Sequence, residues 1–162
     1  LDAFLEDTAS DLATANCELL LLDGITNPQN LGMIIRSLAA STMQGLVLPQ
    51  KGCARLDPLV YKASAGCISK ARILSCATVE DAIRSLKSAQ FKLLGLTGRG
   101  LQTVSCADEF HRKVFLLGNE SEGLSNTALD ACDQQIMIPM QNGVESLNVA
   151  VTAGIIAFRA RS

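Results

Sequence analysis

The residues best placed for chemistry lie near the end of the chain, where a strand pattern stops and an apolar helix begins. Pro139 ends the strand because proline cannot donate a hydrogen bond to a sheet. Asn142 with Gly143 then forms a turn in which positive φ costs little. The pattern places Ser146 at the N-cap of a helix that extends to about Arg159. Free N–H groups at such a helix start can receive a polar or anionic group of a ligand.

The same helix has two contrasting faces. Bulky apolar side chains at helical spacing form one face, and a stripe of small residues lies between them, where another backbone could approach closely. The bulky residues are Leu147, Val151, Ile155 and Phe158, and the small ones are Ala150, Gly154 and Ala157.

An earlier helix carries two further polar side chains. Asn30 lies near its predicted start, and Arg36 lies further along it between the apolar residues Ile35 and Leu38. Since these neighbours are expected to be buried, we expect Arg36 to point to an edge or a cleft. Read without other information, Asn30 is also compatible with an ordinary helix cap and Arg36 with a surface ion pair.

The elements that position these residues alternate along the chain. Continuous apolar runs predict strands buried on both faces, and helically spaced apolar residues between them predict amphipathic helices. The pattern predicts one α/β domain with a mostly parallel six-stranded sheet and helices on both faces. The strands are expected over 18–23, 45–48, 72–75, 91–96, 113–117 and 135–138, and the helices over 31–42, 57–62, 78–88, from about 125, and over 146–159.

Three of these strands end in loops that contain glycine, at 96–100, 117–123 and 138–143. Because ligands in open α/β sheets bind beyond the carboxyl ends of the strands, the three loops could line one pocket. The pocket is not of a common nucleotide-binding type. Gly95-x-x-Gly98-x-Gly100 differs from the dinucleotide pattern G-x-G-x-x-G, and the chain has no G-x-x-x-x-G-K-S/T.

Composition narrows the classes of function. The net charge of −2 and the pI near 5.4 argue against a nucleic-acid footprint over the whole chain, although a local basic patch is still possible. An aromatic content of 4% argues against a base-stacking platform. The chain has no apolar run of about 18 residues, so no membrane span is expected. The six cysteines include no C-x-x-C pair, so we expect no metal site. We expect the cysteines to be buried free thiols in a reducing compartment.

Three motifs, taken together and in order, resemble the SpoU (TrmH-type) branch of the SPOUT RNA methyltransferases. They are LDGITNPQNLGMIIR at 22–36, FLLGNESEGLS at 115–125, and IPM at 138–140 with SLNV at 146–149. The resemblance covers about residues 18 to 160. It implies a C-terminal trefoil knot, S-adenosylmethionine as cofactor, a homodimer, and methyl transfer to a ribose 2′-hydroxyl of tRNA or rRNA.

The resemblance also assigns regions and residues. Residues 18–162 would be the catalytic domain and 1–17 an N-terminal linker or helix. The expected compartment is the cytoplasm, or an organelle if a transit peptide has been removed, and neither a membrane nor a metal is an expected partner. By resemblance the cofactor contacts Leu96, Thr97, Gly98, Leu117, Gly118, Ile138, Met140 and Leu147.

The catalytic residues implied by the resemblance are Arg36 as the key residue, Asn30 and Glu120 around it, and Ser146 and Asn148 from the third motif. A sulfonium methyl is already activated, so the protein has to align the 2′-oxygen and manage one proton. The family proposal makes the arginine a general base. Because a guanidinium stays protonated in proteins, we expect it instead to clamp a phosphate and stabilise developing charge.

Two other functions remain open at this stage. The domain could bind S-adenosylmethionine and RNA without catalysing transfer, or it could methylate a base nitrogen, as other SPOUT branches do. The intact Arg36, Glu120 and Ser146 argue against the first. The arrangement of Asn30 with Arg36 and of Ser146 with Asn148 favours ribose over a base. Candidate contacts to RNA phosphates are Lys51, Arg55, Lys62, Lys70 and Arg72.

Overall fold

The computed structural model describes residues 1–7 and 16–159. Within that part of the chain, seven strands form one sheet in the order β3-β2-β1-β6-β4-β7-β5. Every neighbouring pair is parallel. The strands are β1 (Cys17–Leu22), β2 (Gly45–Pro49), β3 (Ile73–Cys76), β4 (Lys92–Leu96), β5 (Gln102–Thr103), β6 (Arg112–Leu117) and β7 (Gln134–Met137).

The predicted parallel α/β sheet is confirmed, but the predicted number of six strands is wrong. The additional strand, β5, has two residues and pairs with β7 through Gln102 opposite Ile136 and Thr103 opposite Met137. A strand of this length has no periodic pattern, so sequence reasoning could not find it.

Helices cover both faces of the sheet. On β1, Leu20 and Leu22 point into the core beneath one layer of helices, whereas Leu19 and Leu21 point into the core beneath the other. No helix in residues 1–7 or 16–159 is long and apolar enough to cross a membrane. The first layer contains α2 (Pro28–Ala39), α3 (Pro58–Ala63) and α6 (Val149–Ala157), and the second contains α1 (Asp2–Asp7), α4 (Val79–Ser88) and α5 (Asn126–Ala131).

The start of α6 differs from the prediction. Three other helices begin where the sequence indicates, with caps at Asp57, Thr78 and Ser125. Ser146 is not the cap of α6, however. Asn148 is the cap, and its side chain accepts a hydrogen bond of 2.8 Å from the N–H of Ala150. Ser and Asn both cap helices well, so residue type alone could not choose between them.

Two further predictions concern the cysteines and the two ends of the chain. All six cysteines are free, but only Cys17 is buried and the others are partly exposed, so the expectation of buried thiols is wrong for five of them. In α1, Leu5 packs against the layer formed by α4 and α5. Residues 8–15 of the expected linker and 160–162 of the expected domain lie outside the described residues. The trefoil knot stays a prediction.

Candidate functional site

The carboxyl ends of β6, β4 and β7 lie side by side, because these strands are neighbours in the sheet. The three glycine-bearing loops that follow them therefore meet at one edge and, with the start of α6, enclose a cavity. The eight residues assigned to the cofactor by resemblance, Leu96, Thr97, Gly98, Leu117, Gly118, Ile138, Met140 and Leu147, all line it. Their role in binding stays a prediction.

The loop after β6 is a tight hairpin. Asn119 and Gly123 exchange two backbone hydrogen bonds, of 2.9 and 2.8 Å. A Cβ atom at Gly118 would overlap the backbone of Gly123 and Leu124. Glycine is therefore required at position 118, where the backbone itself forms part of the cavity wall.

Thr97, which lines the cavity, has a buried polar atom without a partner among the described residues. The hydroxyl oxygen of Thr97 is buried and has no hydrogen bond to any described residue. Beside it, a Cβ atom at Gly98 would meet only the carbonyl oxygen of Glu145, at 3.5 Å. Because a buried hydroxyl without a hydrogen bond is costly, the cavity suits a ligand that combines apolar surface with hydrogen-bonding groups.

Beside this cavity, side chains from distant parts of the chain meet on one carboxylate oxygen. Glu120 Oε1 accepts hydrogen bonds from the side-chain amides of Asn30 and Asn148, each at 2.8 Å, and from the N–H of Val149 at 3.3 Å. Asn148 Nδ2 also donates to Asn30 Oδ1 at 3.1 Å. Glu120 lines the cavity as well, so the Asn30–Glu120–Asn148 cluster borders it.

The cluster also fixes the start of α6. Asn148 caps the helix, and the carboxylate of Glu120 lies at its first N–H group, the end of a helix that favours negative charge. Asn30 is 5% exposed, whereas Glu120 and Asn148 reach the surface. Glu120 Oε2 has no hydrogen bond within the described part of the chain, so it is available to a ligand.

Two residues expected to be catalytic lie outside the cluster. Ser146 lines the cavity, but it is exposed and its hydroxyl has no hydrogen-bond partner among the described residues. Arg36 is exposed on α2, does not line the cavity, and forms no ion pair with residues 1–7 or 16–159. At 1.5 Å per residue it lies about 9 Å further along α2 than Asn30. A second chain or a bound substrate would have to bring Arg36 and the cavity together.

Sequence reasoning missed two residues that hold the site together. Asn27 caps α2, because its side chain accepts from the N–H groups of Gln29 at 2.8 Å and Asn30 at 3.4 Å. The Asn27-Pro28 pair carries the same cap signal as Asp57-Pro58, so this residue could have been found. Asn119 donates to the carbonyl of Gly24 at 2.9 Å. That contact joins two loops distant in the chain and leaves no local signal.

The candidate RNA contacts are divided between two edges of the sheet. Lys51 and Arg55 follow the carboxyl end of β2, on the same edge as the cavity. Lys70 and Arg72 precede β3 and line a depression at the opposite, amino edge. These four residues and Lys62, at the end of α3, are exposed. Across the described ranges, no group of His, Cys, Asp and Glu side chains is arranged to hold a metal.

Comparisons with known proteins identify the family to which this chain belongs. The model of the SpoU rRNA Methylase family matches residues 18–158. An uncharacterized tRNA/rRNA methyltransferase of Mycolicibacterium gilvum is 34% identical over 96% of this chain and 49% of its own length. The 23S rRNA (guanosine-2'-O-)-methyltransferase RlmB of Xylella fastidiosa is 31% identical over 93% of this chain and 60% of its own length. The chain thus spans about half the length of the first of these relatives.

Solved structures share the fold. The SpoU methyltransferase AviRb from Streptomyces viridochromogenes, in complex with AdoMet, superposes with a TM-score of 0.81 at 27% identity, over 92% of this chain and 61% of that one. An AdoMet-bound rRNA methyltransferase from Sinorhizobium meliloti gives a TM-score of 0.81 at 26% identity, over 90% and 56% of the two chains. The family match extends over most of the chain, and the chain belongs to the SpoU rRNA Methylase family.

Proposed function

We propose that this chain is an S-adenosylmethionine-dependent RNA methyltransferase that transfers a methyl group to a ribose 2′-hydroxyl of tRNA or rRNA. The observation that carries the proposal is the cavity at the ends of β6, β4 and β7, bordered by the Asn30–Glu120–Asn148 cluster. Family membership, the relative RlmB and the AdoMet-bound structures support the reaction class.

S-adenosylmethionine fits the residues that line the cavity. The unpartnered Thr97 hydroxyl and the backbone at Gly98 and Gly118 offer hydrogen bonds, and the other predicted cofactor residues offer apolar walls. When bound, the cofactor supplies a methyl group already activated as a sulfonium. The remaining task of the protein is to hold the acceptor oxygen in line and to manage its proton.

Glu120 is suited to the acceptor side of this task. Its Oε1 is held by three donors, which fixes the carboxylate, and its Oε2 is left to accept a hydrogen bond from the acceptor hydroxyl. We assign Arg36 the role of a phosphate clamp, because a protonated guanidinium cannot serve as a base. Ser146, which lines the cavity, is assigned to substrate positioning.

A homodimer would bring Arg36 to a cavity. Arg36 shares the outer face of α2 with Met33, which is 41% exposed. In the adjacent α6 Val151 is 51% exposed, and its cap Phe158 is 60% exposed. Such an apolar face supports association with a second copy. Arg36→Ala and Glu120→Ala chains, each inactive alone, would regain activity when co-expressed if the arginine serves the partner's cavity. No recovery would place its action within one chain.

Two further proposals concern location and topology. The cytoplasm is supported by the six free thiols, with an organelle as the alternative. The trefoil knot rests on the family resemblance, and tracing the chain through the crossing of loop and helix in an experimental structure would test it.

The reaction is tested by methyl transfer from labelled S-adenosylmethionine to tRNA and rRNA in separate assays, followed by nucleoside analysis. We expect label in a 2′-O-methyl nucleoside, whose phosphodiester resists alkaline hydrolysis. Label on a base nitrogen would favour base methylation instead. Cofactor binding without transfer to either RNA would favour an inactive binding module.

A further inference from the structure

A buried cluster of charges lies at the amino edge of the sheet, away from the cavity. Glu18 of β1 is 2% exposed, and its register partner on β6, Lys113, is 4% exposed. Glu18 Oε1 lies 3.1 Å from Lys113 Nζ and 2.7 Å from Arg159 Nη2. Burial alone would raise the pKa of Glu18, but the hydrogen bonds and charges of Arg159 and Lys113 outweigh it and hold that pKa below its ordinary value.

Arg159 is the member of this cluster that belongs to the α6 segment. It directly follows the helix cap Phe158, and its side chain is 6% exposed. The guanidinium lies 4.6 Å from the centre of the Phe115 ring, and Nη1 donates to the carbonyl of Ile156 at 2.9 Å. The ion pair with Glu18 and the stacking on Phe115 therefore join the residue that follows the cap of α6 to β1 and β6.

Most side chains on the buried face of α6 are short. The residues of the helix are apolar on nearly all of its sides, and Val151 and the cap Phe158 are exposed. The face toward the core is formed by Val149, Ile156 and three alanines, Ala150, Ala153 and Ala157, whose short side chains interlock only weakly with their neighbours. Specific polar contacts are found instead at the two ends, from Val149 and Asn148 to Glu120 and from Arg159 to Glu18.

We propose that Arg159 is a positioning residue that sets the axial position of α6 and thereby the shape of the cofactor cavity. The inference rests on the proposed function. Val149 and Thr152, in the first turn of α6, line the cavity. The helix has nine residues and is about 14 Å long, so a shift at its end is carried to the cavity. A misplacement of about 1 Å can cost about 100-fold in rate.

The test compares two changes that each remove one cation from the same cluster. Arg159→Met removes the contact from α6 and leaves Glu18 paired with Lys113, whereas Lys113→Met leaves the contact of Arg159 with Glu18 intact. We expect Arg159→Met to weaken S-adenosylmethionine binding, measured by calorimetry, by about tenfold, which corresponds to about 1.4 kcal/mol. It should also speed hydrogen exchange at the Val149 and Ala150 amides in the cofactor-free protein. Lys113→Met should lower the melting temperature but should change neither the cofactor affinity nor the hydrogen exchange of these amides.

Arg159→Lys serves as the conservative variant. It keeps a charge opposite Glu18, so it should recover much of the cofactor affinity and of the slow hydrogen exchange seen in the wild type. If Arg159→Met does not fold, Arg159→Gln, which also removes the charge, replaces it in the comparison with Lys113→Met. Equal effects of changing Arg159 and Lys113 on affinity and exchange, or no effect of either, would overturn the proposal. A wild-type protein that fails to bind S-adenosylmethionine would contradict the proposed function instead, and the exchange measurement would still decide whether Arg159 positions α6.

Discussion

The side-chain amide of Asn30 donates to Glu120 Oε1 at 2.8 Å, although 90 residues separate the two in the chain. Asn30 lies in the first turn of α2, which follows β1, and Glu120 lies in the hairpin that follows β6. Because β1 and β6 are neighbours in the sheet, their carboxyl ends bring the two residues together. Asn148 joins the same oxygen from the start of α6, so the cavity edge depends on three elements at once.

Substitutions at Asn148 separate its role as a cap from its contact with Glu120. Asn148→Ser retains a good cap but loses the amide, so we expect a nearly unchanged melting temperature and slower methyl transfer. Asn148→Ala loses both, and its free energy of unfolding should fall by about 1 kcal/mol. Thermal denaturation and single-turnover methyl transfer measure the two effects. Wild-type transfer by the serine variant would show that the cluster does not contribute to the reaction.

Two glycines inside helices are expected to respond to alanine with opposite signs. A Cβ atom at Gly32 of α2 would lie 2.5 Å from Ala63 Cβ, so Gly32→Ala has to push α3 away and should cost about 1–3 kcal/mol. At Gly154 of α6 the nearest atom would be Ser37 Oγ at 3.9 Å, so Gly154→Ala should raise the free energy of unfolding by about 0.5–1 kcal/mol. Urea denaturation measures both, and stabilisation by Gly32→Ala would contradict the close packing of α2 on α3.

Some of these features could be predicted from the sequence and others could not. Buried parallel strands leave continuous apolar runs, so residues 18–22 were assigned correctly, whereas the two residues of β5 leave no pattern. Asn148 caps α6 in place of Ser146, and its side chain also donates to Glu120. This contact joins residues that are distant in sequence, so a local pattern does not indicate it. Motif resemblance implies a catalytic role for Arg36, which stays a prediction, but it gives no information about the direction of the side chain, which is exposed.

The two edges of the sheet should differ in RNA binding. The double change Lys51→Ala with Arg55→Ala should weaken RNA binding and reduce the slope of log affinity against log salt by about 1–2, since each lysine or arginine neutralises about one phosphate. Lys70→Ala with Arg72→Ala removes the same charge from the opposite edge and is the matched control. Fluorescence anisotropy over a salt series measures both. Equal losses from the two pairs would indicate a diffuse electrostatic effect and no defined RNA path.

Acid should weaken the contribution of the buried ion pairs. The pKa of Glu18 is held below its ordinary value of 4.5, so its charged pairs stabilise the fold above pH 4.5, and this stabilisation is lost as pH falls through the lowered pKa. The difference in free energy of unfolding between wild type and Arg159→Met should therefore be largest near neutrality and shrink in acid. Urea denaturation over that range measures it. A difference that grows in acid would contradict an ionised Glu18 in the fold.

Calorimetric titration of S-adenosylmethionine into the wild type and into Thr97→Val tests the cavity most directly. The Thr97 hydroxyl has no hydrogen-bond partner among the described residues, so valine, which has a similar shape, should leave the melting temperature of the free protein unchanged or raise it. A hydrogen bond to bound cofactor contributes about 1 kcal/mol, so the variant should bind about fivefold more weakly. Saturable binding by the wild type with a selective loss in Thr97→Val is the predicted result. No binding by the wild type would contradict this cavity as the methyl-donor site, and equal affinities of the two proteins would contradict a hydrogen bond from the cofactor to Thr97.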